Sequence, residues 1–286
     1  MDYWLREQPH DSVTLTVLDS TGAVVRRFTS GRATDTASTQ RDSTAEDSSS
    51  YAPSDSIVAA HEGANRFVWN LRAEPAHKLD SVVVDEGMLD GPQVVPGTYT
   101  VRLTVGTTTV ERRLQVAEDP RVNTSPSDLA AEYALALQVR DAIDSTVMSV
   151  QRIESIQEQL RHRSIQAKHM PYEARVSAAA DTLVAQLDSV RFALAAVESH
   201  ADEITLNYPI KLYNKLLTLN VMVQGADAAP TPAQRAVYAE LSGKVTEQLA
   251  RLRAIEQVRL AAFDTLIRTL QISAIVPAGR SQTVPR

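Results

Sequence analysis

The pattern of apolar residues changes once along this chain, near residue 120, and this change constrains the fold more than any other feature. Before it, short β-branched runs are interrupted by Gly, Pro and Asp. After it, apolar residues recur three and four positions apart over long stretches with few helix breakers. The first pattern is typical of strands and the second of amphipathic helices. The sequence therefore predicts an α+β protein of two domains, a β-sandwich followed by a helical bundle.

The composition limits the classes of protein to which the chain can belong. Its 286 residues suffice for two domains, and 43% of them are apolar, so each domain can bury a core. Cysteine is absent, which excludes disulfides and thiolate metal sites. The net charge is −6, and residues 1–123 hold 18 Asp and Glu against 12 Lys and Arg. We therefore expect no basic surface for nucleic acid, and no apolar run is long enough to span a bilayer.

Two hairpins are predicted in the N-terminal part. Residues 13–18 alternate, meet a turn that ends at Gly22, and return through residues 23–28. Pro96-Gly97 leads into residues 98–105, and a turn around Gly106 leads back to residue 116. Glycine supplies the positive φ that tight hairpin turns require. Strands with this spacing are typical of an immunoglobulin-like sandwich, which we assign to residues 1–122.

Two further segments of the N-terminal part have different predictions. Residues 65–72 predict a strand with Phe67, Trp69 and Leu71 on one face, so Trp69 is expected in the core, with ligand stacking as the alternative. Residues 29–56 hold 13 Ser and Thr among 28 residues. Such a segment buries too little apolar surface to offset its ordering entropy, so it predicts a flexible insert.

The C-terminal part predicts a helical bundle at residues 123–276, with residues 277–286 as a tail. Four helices are expected, at about 125–168, 171–205, 208–224 and 231–271, from the apolar spacing. Ser125 before Pro126 indicates a capped start, and Thr231 with Gln234 forms a capping-box pattern. The second helix has a coiled-coil-like seam of Val176, Ala180, Leu183, Leu187, Val190, Leu194, Val197, Ala201 and Ile204. Such a bundle suits a spacer or a lateral docking surface.

No catalytic motif lies over either part, so we predict no catalytic, cofactor-binding or metal-binding residue. His61-Glu62 lacks the second histidine of a zinc-protease helix. His162 and His169 are seven positions apart, and no third ligand lies near them in the sequence. Ordinary surface histidines are the simpler interpretation.

Three other clusters permit more than one interpretation. Asp85, Glu86 and Asp90 could hold Ca²⁺ or form a solvated acidic turn. Residues 123–125 (NTS) match a glycosylation sequon, which one expects by chance in a chain of this length. The third helix brings together polar residues that close the bundle or face a partner. They are Asn207, Tyr208, Tyr213, Asn214 and Asn220.

Several short motifs follow one another in a distinctive order. They are the opening residues 3–5 (YWL), the turn at 19–22 (DSTG), 65–72 (NRFVWNLR), 96–101 (PGTYTV), 119–121 (DPR), 206–212 (LNYPIKL) and 226–231 (ADAAPT). This order resembles the C-terminal region of large secreted bacterial proteins with sortilin-like, BNR-type β-propellers, often described as glycosyl hydrolase-like. The sandwich part also resembles the immunoglobulin-like domain of the flagellar hook-capping protein.

The resemblance implies a setting but no chemistry. The propeller boxes of the pattern Ser-x-Asp-x-Gly-x-Thr-Trp are absent, so no catalytic residue is transferred to this chain. What the resemblance implies is a periplasmic or extracellular location. The start at Met1-Asp2-Tyr3-Trp4 has no basic and apolar leader pattern, which favours a mature or excised segment.

We therefore expect a non-catalytic extracytoplasmic scaffold, an accessory subunit that docks onto a larger assembly such as the periplasmic face of a membrane complex or a β-propeller domain. Exposed positions of the second and fourth helices and the acidic loops are the expected docking surfaces. One alternative is a carbohydrate-binding module or the tail of a propeller-type glycoside-active enzyme, which requires Trp4, Trp69 or Tyr99 to be exposed. Another is a hydrolase, which requires a carboxylate pair that the sequence does not identify.

Overall fold

The computed structural model describes residues 1–31, 57–80, 82, 88–196 and 209–272 of an α+β protein. The chain forms two compact units, each built from several segments. Unit 1 comprises Met1–Ala76, Met88–Arg140 and Asn220–Arg235, and unit 2 comprises His77–Gly87, Asp141–Leu219 and Ala236–Arg286. The sequence-based division at residue 122 stays a prediction, and most of the insert predicted at 29–56 lies outside the described residues.

The described strands form two antiparallel sheets. They are β1 (Asp2–Leu5), β2 (Val13–Leu18), β3 (Val24–Thr29), β4 (Gly63–Arg66), β5 (Gly97–Val105) and β6 (Thr108–Val116). One sheet pairs β1 with β4, and the other has the order β3-β2-β5-β6. In the larger sheet Leu15 of β2 lies opposite Phe28 on one side and Leu103 on the other. Both predicted hairpins are therefore present.

The turns of the hairpins follow from local chemistry. Gly22 has φ +87° and Gly106 has φ +55°, values that side chains with a Cβ rarely adopt. In the first turn the Asp19 carboxylate accepts hydrogen bonds from the backbone N–H groups of Thr21 (2.8 Å) and Ala23 (2.9 Å). An aspartate that bonds its own turn in this way stabilises the reversal.

The strand predicted over 65–72 is only partly correct, because β4 ends at Arg66. Beyond this point Leu71 has φ +58°, a left-handed conformation that interrupts an extended strand. The chain bonds residues 92–94 instead: the Leu71 carbonyl accepts from the backbone N–H of Val94 (2.8 Å). The predicted alternation still holds for Phe67 and Trp69, which are buried, whereas Leu71 is only partly buried.

The core of unit 1 contains two aromatic pairs. The rings of Phe28 and Phe67 lie 4.6 Å apart, and those of Trp69 and Tyr99 meet edge to face at 5.9 Å. Around them lie the buried β-branched and leucine side chains of β2, together with Val58 and Val94. Burial of this apolar surface is the main source of stability for the unit.

The described helices are α1 (Pro126–Ala167), α2 (Glu173–Leu194), α3 (Leu212–Val223), α4 (Pro232–Ala254) and α5 (Ala261–Thr269), with a π-helical segment at Ile255–Leu260. The predicted capped starts of the first and fourth helices, now α1 and α4, are confirmed. The Ser125 hydroxyl accepts from the Asp128 backbone N–H (3.2 Å). Thr231 and Gln234 bond reciprocally, each side chain accepting from the other's backbone N–H (3.2 and 2.7 Å).

The buried faces of the helices follow the predicted spacing. The described part of the α2 seam is buried at Val176, Ala180, Leu183, Leu187, Val190 and Leu194. Its predicted continuation at Val197, Ala201 and Ile204 lies outside the described residues. None of the six residues of the π-helical segment is buried. Within the described ranges, no helix combines the length and the apolar character that a membrane crossing requires.

Candidate functional site

The histidines considered as metal ligands lie in turns or in exposed pairs. His162 Nε2 lies 3.0 Å from a carboxylate oxygen of Glu158, one helical turn earlier on α1. His169 follows the end of α1 with φ +65°, and His61 lies in the turn before β4. Among the residues that the structure describes, no three His, Cys, Asp or Glu side chains are grouped so as to hold a metal ion.

The acidic loop considered for Ca²⁺ is described only in part. Asp85 and Glu86 lie outside the described residues, whereas the backbone of Asp90 belongs to a polar network of unit 1. The Asn220 Nδ2 donates to the carbonyls of Met88 (2.7 Å) and Asp90 (3.3 Å). The Gln224 Nε2 donates to the Asn220 side-chain oxygen (2.8 Å). The carbonyl of Asp90 is thus a structural acceptor.

Arg72 joins the same network. Its guanidinium donates to the Gln224 side-chain oxygen (2.7 Å) and to the Gly91 carbonyl (2.9 Å). Gly91 is required here because a Cβ would lie 2.1 Å from the Ala73 carbonyl oxygen. The polar side chains Asn220, Gln224 and Arg72 therefore hold the loop at residues 88–92 in place within unit 1.

Polar side chains of α3 also bind backbone groups in unit 2. Tyr213 is fully buried, and its hydroxyl accepts from the backbone N–H of Leu79 (3.2 Å). Burial raises the pKa of Tyr213, so the phenol stays protonated. Asn207 and Tyr208 of the predicted polar corner lie outside the described residues.

Glu132 of α1 is the carboxyl with the most unusual surroundings in unit 1. Burial raises its pKa to about 7, and the nearby charge of Asp227 adds to the rise, while a hydrogen bond from the backbone N–H of Ala228 and the charge of Arg72 lower it. The group is half-buried and bound to the backbone. Its protonation state therefore changes near neutral pH, next to the charge of Asp227.

The aromatic residues considered for ligand stacking divide into buried and exposed ones. Trp69 is 7% exposed, and its indole N–H donates to the Arg72 carbonyl (2.9 Å). Tyr99 is also buried. Trp4, in contrast, is 73% exposed. The carbohydrate-binding alternative requires one of these three residues to be exposed, and Trp4 meets this requirement.

Trp4 lies on the outer face of the two-stranded sheet. Asp2 and Trp4 of β1 pair with Arg66 and Ala64 of β4, so these four side chains share one face. We call this surface the Trp4 face. A shallow depression of about 670 Å³ lies here, lined by these four residues with Tyr3 and Asn65.

A second depression lies in unit 2 between α1 and α5, and we call it the α1–α5 groove. Its volume is about 170 Å³. The floor is apolar and buried, formed by Ile156, Leu160, Phe263 and Ile267. The rim holds the polar side chains of Gln159, Arg163 and Asp264.

Exposed apolar side chains are unevenly distributed over the second and fourth helices, on which a docking surface is expected. The described residues of α2 include no large apolar side chain that is exposed, whereas Val237 of α4 and Val258 of the π-helical segment are exposed. Exposed apolar side chains also occur on α1, at Met148 and Ile165. Single exposed apolar residues are common on protein surfaces, so the groove is the stronger feature.

Sequence reasoning did not find the groove or the polar network. The spacing of apolar residues does predict that Leu160, Phe263 and Ile267 face inward, but not that space remains between them. The network joins Arg72 to Gln224, 152 positions apart in sequence, and no local pattern signals such a pairing.

Comparisons with known proteins identify no relative of this chain: no family model, no curated protein and no solved structure matches it.

Proposed function

We propose that this chain is a non-catalytic scaffold, an accessory subunit that docks onto a protein partner through its helical part. The observation that carries the proposal is the α1–α5 groove. An apolar floor with a polar rim is the usual composition of a protein interface. Four buried apolar side chains form the floor, and Gln159, Arg163 and Asp264 are placed around it to bond a partner.

The size of the groove favours a protein partner over a small molecule. Small-molecule sites have volumes of roughly 300–1,000 Å³, whereas the groove has about 170 Å³. This is room for an apolar side chain that projects from a partner surface. Such side chains, seated in pockets, supply most of the binding energy of typical interfaces.

The finer description of the fold belongs to the same proposal: an immunoglobulin-like sandwich with a helical bundle. The Tyr99 hydroxyl donates to the carbonyl of Val95 (2.7 Å), four residues upstream. This bond is similar to the tyrosine corner of immunoglobulin-like domains. The buried Trp69 beside Tyr99 is a second feature that supports this description.

An extracytoplasmic location is also part of the proposal. It rests on the resemblance to the C-terminal regions of secreted sortilin-like propeller proteins. The absence of cysteine is compatible with an oxidising compartment, because no free thiol can form a wrong disulfide there. The expected host is a larger assembly with a periplasmic or extracellular face.

The test asks whether variants of the groove rim still recover a protein partner from native membranes. The affinity-tagged chain is mixed with gently solubilised native membranes, and the recovered proteins are identified and quantified by mass spectrometry. The double variant Gln159→Lys, Asp264→Lys places two cations beside the apolar floor. It should lose a partner that the unmodified chain recovers at a near-stoichiometric level.

The matched control carries the same substitutions on other exposed positions of unit 2, Gln151→Lys and Asp181→Lys. It has the same net charge and should recover the partner normally. Circular dichroism should be the same for both double variants. Equal recovery by the groove variant and the control would refute docking through the groove.

A further inference from the structure

The Trp4 face has a geometry that the scaffold proposal does not use. Met1 and Phe67 exchange two backbone hydrogen bonds (2.7 and 2.9 Å). Hydrogen-bonded and non-hydrogen-bonded pairs alternate along an antiparallel ladder. The next pair, Asp2 with Arg66, is therefore non-hydrogen-bonded, and so is Trp4 with Ala64. Side chains in such pairs lie closest together, so the four groups form one continuous surface.

The indole ring of Trp4 leans along this surface. A Cβ at Gly63 would lie 3.8 Å from the Cη2 atom and 3.9 Å from the Cζ3 atom of the ring. Gly63 has φ +90° and carries no side chain to lift the ring, and the residue opposite Trp4 is the small Ala64. The outer edge of the benzo ring thus lies next to Gly63, and 73% of the residue stays exposed. The π surface of the ring is therefore open to a ligand.

A neutral hydrogen-bonding pair lies next to the ring. Arg66 donates from Nε to one Asp2 oxygen (2.7 Å) and from an NH₂ group to the other (3.0 Å). The two charges cancel, so the pair attracts neither anions nor cations strongly. A guanidinium has five donors and a carboxylate has about four acceptor positions. Both groups therefore keep capacity to bond hydroxyl groups of a ligand.

These features select a class of ligand. A flat apolar ring beside paired donors and acceptors fits a sugar ring, which has one face of C–H groups and an edge of hydroxyls. The shallow depression of about 670 Å³ is open to solvent, which suits a ligand that lies along the surface. Nucleic acid is disfavoured by the net charge of −6 and by the carboxylate in the site.

We propose that the Trp4 face binds a neutral polysaccharide, with one sugar ring stacked on Trp4 and its hydroxyls bonded by Asp2 and Arg66. The site is open along the face, so it accepts an internal unit of a polymer. It is independent of the α1–α5 groove, which belongs to the other compact unit.

The test is affinity electrophoresis in native gels that contain mixed-linkage β-glucan, xylan, galactomannan or dextran, with polygalacturonate as a charged control. We expect at least one neutral polymer to slow the unmodified chain. Trp4→Ala should weaken this binding about tenfold or more, and Trp4→Phe should retain most of it because a phenyl ring still stacks. Arg66→Gln should weaken it several-fold, and Val68→Ala, at a neighbouring exposed apolar position, should leave it unchanged.

A fluorescence measurement locates the site directly. The chain has two tryptophans, and the buried Trp69 is shielded from iodide. Polysaccharide should therefore protect fluorescence from iodide quenching in the unmodified chain and have no such effect in Trp4→Phe.

Three results would overturn the proposal: no retardation by any of the four neutral polymers, equal retardation of Trp4→Ala, or retardation by polygalacturonate alone. Loss of a protein partner in Trp4→Ala without any polysaccharide binding would also overturn it, and would identify the face as a protein interface. The groove variant Gln159→Lys, Asp264→Lys should bind polysaccharide normally, so failure of the scaffold proposal and failure of this one are distinguishable.

Discussion

Replacement of Asn220 should destabilise unit 1 strongly, because this side chain is the centre of a buried polar network. Asn220 is 0% exposed and makes three hydrogen bonds, to the carbonyls of Met88 and Asp90 and from the Gln224 amide. Asn220→Ala removes all three and leaves buried polar groups without partners. At about 1 kcal/mol for each bond, the expected loss in the free energy of unfolding is about 3 kcal/mol.

The effect can be measured by urea unfolding followed by tryptophan fluorescence. Both tryptophans, Trp4 and Trp69, belong to unit 1, so the signal reports the unfolding of that unit. Asn220→Asp keeps the shape of the side chain but replaces the donor with an oxygen that faces two carbonyls, and should cost at least as much at neutral pH. It should recover part of the loss in acid, where a protonated carboxyl again supplies a donor.

Asn123→Asp is the matched control, because Asn123 is an exposed residue of the same unit. It should change the free energy of unfolding by less than about 0.5 kcal/mol. A loss below about 1 kcal/mol for Asn220→Ala would refute the reasoning, because the network would then not be a main support of the loop at residues 88–92.

Three further predictions concern other supports of the fold. Gly91→Ala should prevent correct closure of the loop at 88–92 and lower the free energy of unfolding by about 1–3 kcal/mol or more, because its Cβ would overlap the Ala73 carbonyl. Gly97→Ala, where nothing lies within 4 Å of the new Cβ, is the control and should be nearly neutral. Glu132 has a folded-state pKa of about 7 against an ordinary value of 4.5, so its contribution to stability is complete below about pH 4.5 and is lost as the pH rises through 7. Glu132→Gln should remove this part of the pH dependence of the urea midpoint, and identical pH profiles for both chains would contradict it. Thr231→Ala should remove the capping box of α4 and lower the free energy of unfolding by about 1 kcal/mol. Thr182→Ala, on the exposed face of α2, is the comparison. If Thr231→Ala lowers the free energy of unfolding no more than Thr182→Ala does, the cap does not stabilise the helix.

The parts of the fold that the sequence predicts correctly depend on local interactions. The turns at Gly22 and Gly106 require a positive φ, and the helix starts at Ser125 and Thr231 carry caps whose partners lie three residues away. The burial of Trp69 follows from alternation over a few residues. Each of these features is decided by neighbours along the chain, so each leaves a signal in the sequence.

The parts that the sequence does not predict depend on distant contacts. β4 ends at Arg66, residues 71–73 bond residues 92–94 further along the chain, and the left-handed conformation of Leu71 has no sequence signature. Alternation places Asp2 and Trp4 on one face of β1 but cannot tell whether anything covers that face. The α1–α5 groove likewise depends on how closely two helices pack, which apolar spacing does not specify.

The scaffold proposal is tested most directly by the stoichiometry of the proteins recovered with the tagged chain from gently solubilised native membranes. We expect a defined partner at near-equimolar amount, lost with Gln159→Lys, Asp264→Lys and retained with Gln151→Lys, Asp181→Lys. Recovery of the unmodified chain as a monodisperse monomer, with no protein at a stoichiometric level, would contradict the proposal.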